Sequence, residues 1–355
     1  MLSASMSAVA AEPATVPGVS APPGSDEAVR AYWTPERITH AQPVQMTVSG
    51  PPGQSRAERH GETEIVPSGL PTLPYDRSLG AKLYDDSQQI QHGWPPLYGT
   101  GRLPYTTHRL YPVADAVLYR VYPYGTVGHL YFHEPSGDYQ CSASLIRLST
   151  LATAGHCVND GHGNYYTNWM FVPAQNGSTA PYGTWTWAYV NTTSAWYSGG
   201  GGVPNEQDDA VIVLKARYFN GVLHKLGEFV GYLGYEFNTP LPTAVTQLGY
   251  PCNLDNCSDP VATYSQLWAG PTNNFKWGSV SFGGASGGPE IQDFGQAPSG
   301  VPAETLGGNI LVSTTSYTYA SAVQVDGGSI LYAPGQNGEF TFGDDLNDAC
   351  SKGGC

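Results

Sequence analysis

The stretch SFGGASGGPE, residues 281–290, places Ser286 between two pairs of glycines. Glycine permits the left-handed backbone and the close approach that tight turns need, and most glycine-rich stretches are loops without chemistry. The pattern GASGG also fits the GxSxG turn of α/β-hydrolases, whose serine precedes the acid and the histidine in the chain. The last histidine of this sequence is His224, so none follows Ser286. An α/β-hydrolase is therefore excluded, and any partners of Ser286 come from earlier in the chain.

The composition of the 355-residue chain favours a β-protein rich in turns. Only 12% of the residues are charged, whereas the chain holds 44 glycines, 29 prolines and 24 tyrosines. From about residue 111, short apolar or alternating runs are separated by Gly, Pro, Asn and Asp, as in VGHLYF (127–132) and AVIVLK (210–215). Long stretches of helical periodicity are absent, which also disfavours a subtilisin-like fold. The pattern predicts an all-β sandwich or a pair of barrels.

The charge balance narrows the classes of partner. With 29 acidic and 15 basic residues, the formal net charge is −14, and the basic residues are not clustered. This disfavours nucleic acid and anionic membranes as partners. No apolar run approaches the ~20 residues that a membrane span needs. We expect no metal and no cofactor, since neither a CxxC pair nor a flanking histidine gives zinc spacing.

Two features predict a secreted protein. Residues 1–11 close with AVAA, residues 8–11, which suits signal-peptide cleavage after Ala10 or Ala11, although a positively charged start is missing. An even number of cysteines is typical of exported, disulfide-bonded chains. Pairing of sequence neighbours is the simplest arrangement, with reduced core or metal-binding thiols as the alternative. The neighbours are Cys141 and Cys157, Cys252 and Cys257, and Cys350 and Cys355.

A candidate general base lies in the stretch LATAGHCV, residues 151–158. A serine nucleophile needs a base within hydrogen-bond reach and a buried acid that orients the base. His156 follows an apolar strand and directly precedes Cys157, so a Cys141–Cys157 bridge would hold the loop that carries the imidazole. A lone histidine is usually a surface or core residue, but this context favours a functional one.

A candidate acid lies in NEQDDAVIVLK, residues 205–215. Asp208 and Asp209 come directly before five aliphatic residues, and strand alternation places their side chains on opposite faces. Two adjacent carboxylates are ordinarily a solvated strand entry. A catalytic histidine needs only one buried carboxylate to orient it, so it is enough that either Asp208 or Asp209 is buried.

The motifs TAGHCV, DDAVIVL and GGASGGP, in this order, resemble the His, Asp and Ser motifs of the chymotrypsin-like (trypsin-like) serine peptidases. The bacterial secreted branch that includes the glutamyl endopeptidases is the most similar, and AYWTPERI (31–38) resembles the opening of the pro-region in such peptidases. The resemblance covers about residues 111–335. It implies an all-β fold of two six-stranded antiparallel β-barrels and a secreted serine endopeptidase that forms an acyl-enzyme.

The resemblance also implies the role of each residue in a catalytic triad. His156 would be the general base and then the general acid, and Ser286 would attack the peptide carbonyl. Asp208 would fix the tautomer and the orientation of His156. It is preferred over Asp209 because the family places one variable residue between the aspartate and an alanine.

By the same resemblance, the backbone N–H groups of Gly284 and Ser286 would form the oxyanion hole. Ser316, in VSTTSY (312–317), matches the serine that lines the substrate pocket and supports the aspartate. None of the predicted pocket residues can be charged at neutral pH, so we expect an uncharged residue at P1, the position before the cut bond. Glutamate is the named alternative. The predicted pocket residues are Val280, Ser281, Thr315, Ser316, Tyr317 and Thr318.

Three positions depart from the patterns of related peptidases. Ala285 stands where animal trypsin-like enzymes carry an aspartate that pairs with the new N-terminus, so activation by that ion pair is excluded. Val280 replaces the aspartate of trypsin-like pockets, which disfavours a basic P1 residue. Thr315 stands where glutamate-specific relatives place a histidine, although Ser281 matches a hydroxyl residue of those relatives.

The predicted organisation has four regions, and removal of the second is expected around residues 100–125. They are a truncated signal peptide (1–11), a loop-rich pro-region and linker (12–110), a peptidase domain (111–345, with barrels at about 111–225 and 226–345) and a cysteine-containing tail (346–355). We expect a monomer that acts on proteins or peptides. The alternative function is a catalytically inactive secreted binding module on the same fold, with its Tyr and Trp residues as the contact surface.

Overall fold

The structure is a computed structural model that describes residues 15–50, 97–98, 103, 105–109, 118–295, 308–320 and 322–355. Strands form most of the regular secondary structure of these residues. The strands are β1 (Val19–Ser20), β2 (Gln42–Pro43), β3 (Thr47–Val48), β4 (Leu97–Tyr98), β5 (Thr106–Arg109), β6 (Val127–Glu134), β7 (Gly137–Leu145), β8 (Thr150–Thr153), β9 (Thr167–Pro173), β10 (Trp185–Thr192), β11 (Ala210–Leu214), β12 (Arg217–Phe219), β13 (Val222–His224), β14 (Gly234–Tyr235), β15 (Thr243–Gly249), β16 (Val261–Ala269), β17 (Asn274–Gly278), β18 (Pro289–Gln292), β19 (Ile310–Tyr319) and β20 (Ala322–Ser329).

The helices of the described residues are short. The α-helices are α1 (Ser25–Tyr32), α2 (Pro35–His40), α3 (Ser194–Tyr197), α4 (Gly227–Val230) and α5 (Phe342–Ser351). Single 3₁₀ turns are formed by Leu118–Arg120, Tyr124–Thr126, Gly155–Cys157, Asp255–Cys257 and Gln336–Gly338. Within the described ranges, no helix has the length and apolar character needed to cross a membrane.

The first barrel closes from six antiparallel strands in the order β6–β7–β8–β11–β10–β9, and β9 pairs back to β6. Its interior is filled by large side chains that alternate inward along the strands. Trp169 and Phe171 of β9 and Trp185 of β10 are completely buried there.

The second barrel closes from six strands in the order β15–β16–β17–β20–β19–β18, and β18 pairs back to β15. Its apolar core is smaller and centres on Leu267, Phe275 and Trp277. Outside the closed ring, β5 pairs with β16, while β3 and β14 each run parallel to β19. The prediction of an all-β fold with two six-stranded antiparallel barrels is confirmed.

The described part of the N-terminal segment packs on the first barrel and shows no separate core. Pro35 begins the second helix, α2, because proline suits the first helical position and the Thr34 side chain caps the helix. Val29 and Trp33 are buried in the core of the first barrel, and the Trp33 indole donates to the Asn168 carbonyl at 2.7 Å. Residues 51–96 and 110–117 of the predicted pro-region and domain boundary lie outside the described residues.

The cysteines are joined as three pairs of sequence neighbours, Cys141–Cys157, Cys252–Cys257 and Cys350–Cys355. The first of these bridges ties β7 to the 3₁₀ turn that carries His156. That turn is therefore held covalently as well as by strand pairing.

The C-terminal helix α5 belongs structurally to the first barrel. The boundary predicted between residues 345 and 346 falls inside this helix, which packs against β10 and β11. Phe342, Leu346 and Ala349 are buried in the main core. Apolar residues at i, i+4 and i+7 occupy one face of the helix, and this face is what anchors it.

This packing predicts a large effect of a substitution at the chain's C-terminal end. We expect Phe342→Ala to lower the free energy of unfolding by about 3–5 kcal/mol, because it leaves a cavity beneath the helix. Urea denaturation followed by tryptophan fluorescence measures the change. Asn347→Ala on the exposed face of the same helix is the control, with an expected change within about 0.5 kcal/mol. Equal effects of the two substitutions would contradict the assignment.

Candidate active site

His156 and Asp208 are brought together by the pairing of β8 with β11. Thr153, at the end of β8, lies opposite Ala210, at the start of β11, so the loops that adjoin these residues run side by side. The Nδ1 atom of His156 is 2.7 Å from Oδ2 of Asp208, and the backbone N–H of His156 donates to Oδ1 at 2.8 Å. The side chains are 3% and 0% exposed. The carboxylate therefore holds both the imidazole and the backbone of His156.

The Asp208 carboxylate has a third donor from the second barrel. The Ser316 hydroxyl of β19 donates to Oδ2 of Asp208, and the backbone N–H of Asp208 donates to the Ser329 hydroxyl at 2.7 Å. Both serines lie in the second barrel. The aspartate thus has one orientation, with both oxygens occupied by donors.

Asp209 has a different environment, although it is also completely buried. Its Oδ1 accepts a hydrogen bond from the Thr314 hydroxyl at 2.7 Å, while Oδ2 has no partner among the described residues. Burial raises the pKa of Asp209 well above its usual range; the bond from Thr314 opposes this rise and the nearby Asp208 adds to it. Asp209 makes no contact with His156 of the kind that Asp208 makes.

The turn that carries Ser286 needs glycine on both sides. Gly284 has φ +96° and Gly287 has φ +76°, a region that side chains rarely adopt. A Cβ at Gly284 would lie 2.4 Å from the Tyr250 carbonyl oxygen, and one at Gly287 would lie 2.0 Å from the Thr153 hydroxyl. Gly284 and Gly287 are therefore required by the turn geometry.

Ser142 of the first barrel anchors this turn, a role that sequence reasoning did not foresee. Its backbone N–H donates to the Ser286 carbonyl at 2.7 Å, and its hydroxyl donates to the Gly284 carbonyl at 2.8 Å. Ser142 directly follows Cys141 on β7. The only available signal was this position beside a cysteine.

The hydroxyl of Ser286 is engaged by the N-terminal segment. Its Oγ lies 3.4 Å from the Val44 carbonyl oxygen, and the backbone N–H of Gly284 donates to the same oxygen at 3.2 Å. The Nε2 atom of His156 is buried and has no hydrogen-bond partner in the described part of the chain. The Ser286–His156 hydrogen bond of a closed triad is not formed here.

Residues 42–48, which we name the cleft strap, lie across the site. The strand β2 runs parallel to β7, and the backbone N–H of Val44 donates to the Gln140 carbonyl at 3.1 Å. Further along, β3 runs parallel to β19, and the N–H of Thr318 donates to the Met46 carbonyl at 3.1 Å. The side-chain oxygen of Gln45 accepts from the N–H of Gly283. No local sequence pattern predicted these contacts.

A cavity opens beside Ser286. Five of the six predicted pocket residues line it, namely Ser281, Thr315, Ser316, Tyr317 and Thr318. Val280 does not. Gln45 and Met46 of the cleft strap also line the cavity, as does Asp326 of β20, a charged residue type that sequence reasoning did not place there. Asp326 reaches the pocket because β20 pairs with β19, a contact that the motifs do not encode.

Donor atoms of Cys141, His156 and Cys157 lie within 4.8 Å of one another, as they would around a metal ion. Both sulfurs belong to the same disulfide, and the Nδ1 atom of the histidine is bonded to Asp208. This cluster therefore lacks the thiolates that would bind a metal.

The chain is similar to known bacterial peptidases. It is 30% identical to the glutamyl endopeptidase of Bacillus licheniformis over 179 residues, which are 48% of this chain and 50% of that protein. It is 24% identical to an extracellular metalloprotease of Bacillus subtilis over 185 residues, 49% of this chain and 53% of that protein. The chain spans about half the length of these curated relatives. No protein-family model matches it.

A solved structure of a Glu endopeptidase in complex with MPD matches with a TM-score of 0.50 at 21% identity, over 66% of this chain and 95% of that one. This likeness concerns the fold alone. The two six-stranded barrels have a fold of the chymotrypsin-like type, with a buried histidine–aspartate pair and a serine turn between them. Over about half of its length, the chain is similar in sequence to a glutamyl endopeptidase.

Proposed function

We propose that the protein is a secreted serine endopeptidase that cuts peptide bonds through Ser286, His156 and Asp208 and an acyl-enzyme intermediate. The observation that carries this proposal is the doubly bonded, buried His156–Asp208 pair. It leaves Nε2 of the imidazole without a partner among the described residues, as a base that must accept a proton requires.

In the proposed mechanism, Ser286 Oγ attacks the carbonyl carbon of the substrate while its proton passes to Nε2 of His156. Asp208 accepts the Nδ1–H bond and stabilises the imidazolium that forms. The C–N bond then breaks as His156 gives this proton to the leaving amine. Water repeats the sequence on the ester and releases the acid product and Ser286.

The N–H groups of Gly284 and Ser286 would stabilise the oxyanion of each tetrahedral intermediate. The contact of the Gly284 N–H with the Val44 carbonyl at 3.2 Å supports this role, because this donor already holds a carbonyl oxygen next to the Ser286 hydroxyl. The turn is rigidly held, so little reorganisation is needed when charge develops on the oxygen.

We also propose that residues 12–110 form a pro-region whose cleft strap blocks the site until it is removed. The strap supports this proposal because its Val44 carbonyl contacts the nucleophile and its Gln45 and Met46 line the cavity. Since Ala285 offers no carboxylate to a new N-terminus, removal would act by clearing the cleft.

The chain direction of the cleft strap explains how the strap could lie beside Ser286 without being cut. The carbonyl beside Ser286 belongs to Val44, so cleavage there would release the amine of Gln45. Gln45 lies on the cavity side, whereas the residues before Val44 pair with the strand of Gln140, next to the cysteine bridge that adjoins His156. The leaving amine would thus face away from its proton donor.

The alternative of an inactive binding module gains little from the described aromatic residues. Trp169, Trp185, Trp196 and Trp277 are all completely buried in the packing of the two barrels. Trp268 is 41% exposed. These side chains mostly serve the interior, as aromatic strand residues usually do.

The triad assignment predicts the order of activity losses among single variants. Ser286→Ala and His156→Ala should each lower kcat of the active form by about 10⁶-fold, and the double variant should lose no more, since the groups act as a unit. Asp208→Asn should cost about 10⁴-fold, because it disturbs the tautomer of His156. Hydrolysis of a peptide substrate measures these losses.

The matched control is Asp209→Asn, which keeps the oxygen that accepts from Thr314. We expect it to change kcat less than tenfold, roughly the limit for a change that leaves the triad intact. If Asp209→Asn lost its activity while Asp208→Asn kept it, the assignment of Asp208 as the acid would be wrong.

The cleft strap makes a second prediction. A peptide of residues 41–48, AQPVQMTV, should inhibit the active form competitively and remain intact, because its bonding to β7 and β19 presents the Val44–Gln45 bond with the wrong polarity. Steady-state kinetics and mass spectrometry of the peptide measure both effects. The reversed sequence VTMQVPQA is the control and should inhibit far less.

N-terminal sequencing of the active form completes this test. We expect its first residue within 100–125, a range that lies partly outside the described residues. An active form that still begins at Glu12, or cleavage of the peptide after Val44, would contradict the proposal for the strap.

A further inference from the structure

One buried carboxyl group lines the cavity beside Ser286, and a second lies nearby in the second barrel. Asp326 of β20 lines the cavity and is 1% exposed, whereas Glu290 of β18 is completely buried and does not line it. Acidic side chains are seldom buried to this degree unless they are paired. Their presence at this position therefore calls for a ligand or a partner.

A chain of hydrogen bonds connects the two carboxyl groups. Ser279 Oγ donates to the side-chain oxygen of Gln247 at 2.6 Å, which directs the Gln247 amide N–H groups away from Ser279. Those N–H groups donate to Asp326 Oδ2 at 3.2 Å and to Thr315 Oγ1 at 3.0 Å. Thr315 Oγ1 in turn donates to Glu290 Oε1 at 3.0 Å. Each carboxyl group thus receives one bond from this chain.

The second oxygen of each of these two carboxyl groups lacks a hydrogen bond from any described residue. Oδ1 of Asp326 and Oε2 of Glu290 are buried and have no hydrogen-bond partner within the described ranges. Burial raises the pKa of Asp326 to about 7, against the hydrogen bonds that lower it. Burial also raises the pKa of Glu290 well above its usual range, and the charge of Asp326 adds to this. A donor that reached Asp326 would restore the missing bond and favour the charged carboxylate.

The nearest basic residue in the strand pairing does not fill this role. Trp277 of β17 lies opposite Asp326, and Lys276 lies opposite Gly327. Because adjacent residues of a strand point to opposite faces, the Lys276 side chain leaves the sheet on the face away from Asp326. Gln45 and Met46 of the cleft strap also line this cavity, and neither side chain carries a positive charge that could pair with Asp326.

We propose that Asp326 is a specificity-determining residue and selects substrates with lysine or arginine at P1. The proposal rests on the proposed peptidase function and deepens it. It replaces the expectation of an uncharged P1 residue, which considered only the residues before Ser286 and those on the strand of Ser316.

The chemistry of the cavity disfavours the other P1 classes. A glutamate at P1 would bring a third carboxyl group toward two buried ones, and like charges in a buried site repel strongly. An apolar P1 residue would leave Oδ1 of Asp326 unsatisfied and without water, which costs free energy. A cation gains an ion pair that water cannot screen. The net charge of −14 also attracts basic substrates to the enzyme.

The test compares peptide substrates that differ only at P1, cut by the active form. We expect kcat/KM for lysine and arginine to exceed that for glutamine, leucine and glutamate by about 100-fold or more, as a buried ion pair implies. Asp326→Asn, which keeps the size of the side chain, should lower the lysine-to-glutamine ratio by about 100-fold. Preferred cutting after glutamate or uncharged residues, with a ratio indifferent to Asp326→Asn, would overturn the inference.

Two controls keep this inference separate from the proposed function. Asp345→Asn removes another completely buried acid with unpartnered oxygens, on α5 of the first barrel, and should leave the lysine-to-glutamine ratio unchanged. Hydrolysis of any of these peptides, whatever the residue at P1, supports the peptidase proposal independently of the inference about Asp326. Absence of all hydrolysis by the strap-free protein would refute the peptidase proposal and, with it, this inference.

A measurement on the unaltered protein guards against a variant that fails to fold. Benzamidine carries a cationic amidinium group and should inhibit the active form competitively, whereas the neutral isostere benzamide should bind at least about 100-fold more weakly. Equal inhibition by the two compounds would contradict a buried carboxylate as the selecting group.

Discussion

The contact between His156 and Asp208 is the constraint on which the site depends. It exists because β8 and β11 are neighbours in the first barrel, with Thr153 opposite Ala210. The carboxylate is then joined by Ser316 of the second barrel. Conversely, Ser142 of the first barrel donates hydrogen bonds to the turn of the second barrel that carries Ser286. Each barrel thus supports a side chain of the candidate triad that the other barrel carries, and the site requires both barrels to be folded and in register.

The same architecture explains how an N-terminal segment reaches the site. Helices α1 and α2 pack on the first barrel, and the chain then enters the cleft at Gln42. The cleft strap pairs with one strand from each barrel, so its binding uses the edges that an extended peptide would need. Its bonds run parallel to both strands. In the proposed blocking role, a segment with this polarity would fill the cavity and contact Ser286 without offering its amine to His156.

Much of the fold and of the candidate triad could be predicted because the relevant signals are local. The glycines around Ser286, the position of His156 between a strand and Cys157, and the aspartates before β11 are each readable within ten residues. Their order along the chain excluded an α/β-hydrolase, and neighbouring cysteines suggested the simplest pairing.

The features that were not predicted depend on contacts between distant parts of the chain. Val44 meets Ser286 across more than two hundred residues, and nothing near Val44 marks it as a contact. Asp326 enters the cavity through the pairing of β19 with β20, including a register shift that simple alternation would miss. The role of α5 was overlooked because an amphipathic helix of ten residues after a β-domain looks like a tail until its partner is known.

The proposed function depends above all on Ser286 being a nucleophile that His156 activates. The most direct measurement is reaction of the strap-free protein with diisopropyl fluorophosphate, followed by peptide mass spectrometry. Attack of the serine oxygen on phosphorus expels fluoride and leaves one diisopropylphosphoryl group on the protein. We expect a single adduct on Ser286, which is absent from Ser286→Ala and forms far more slowly in His156→Ala. No adduct on the strap-free protein, or an adduct at another serine with Ser286 unmodified, would contradict it.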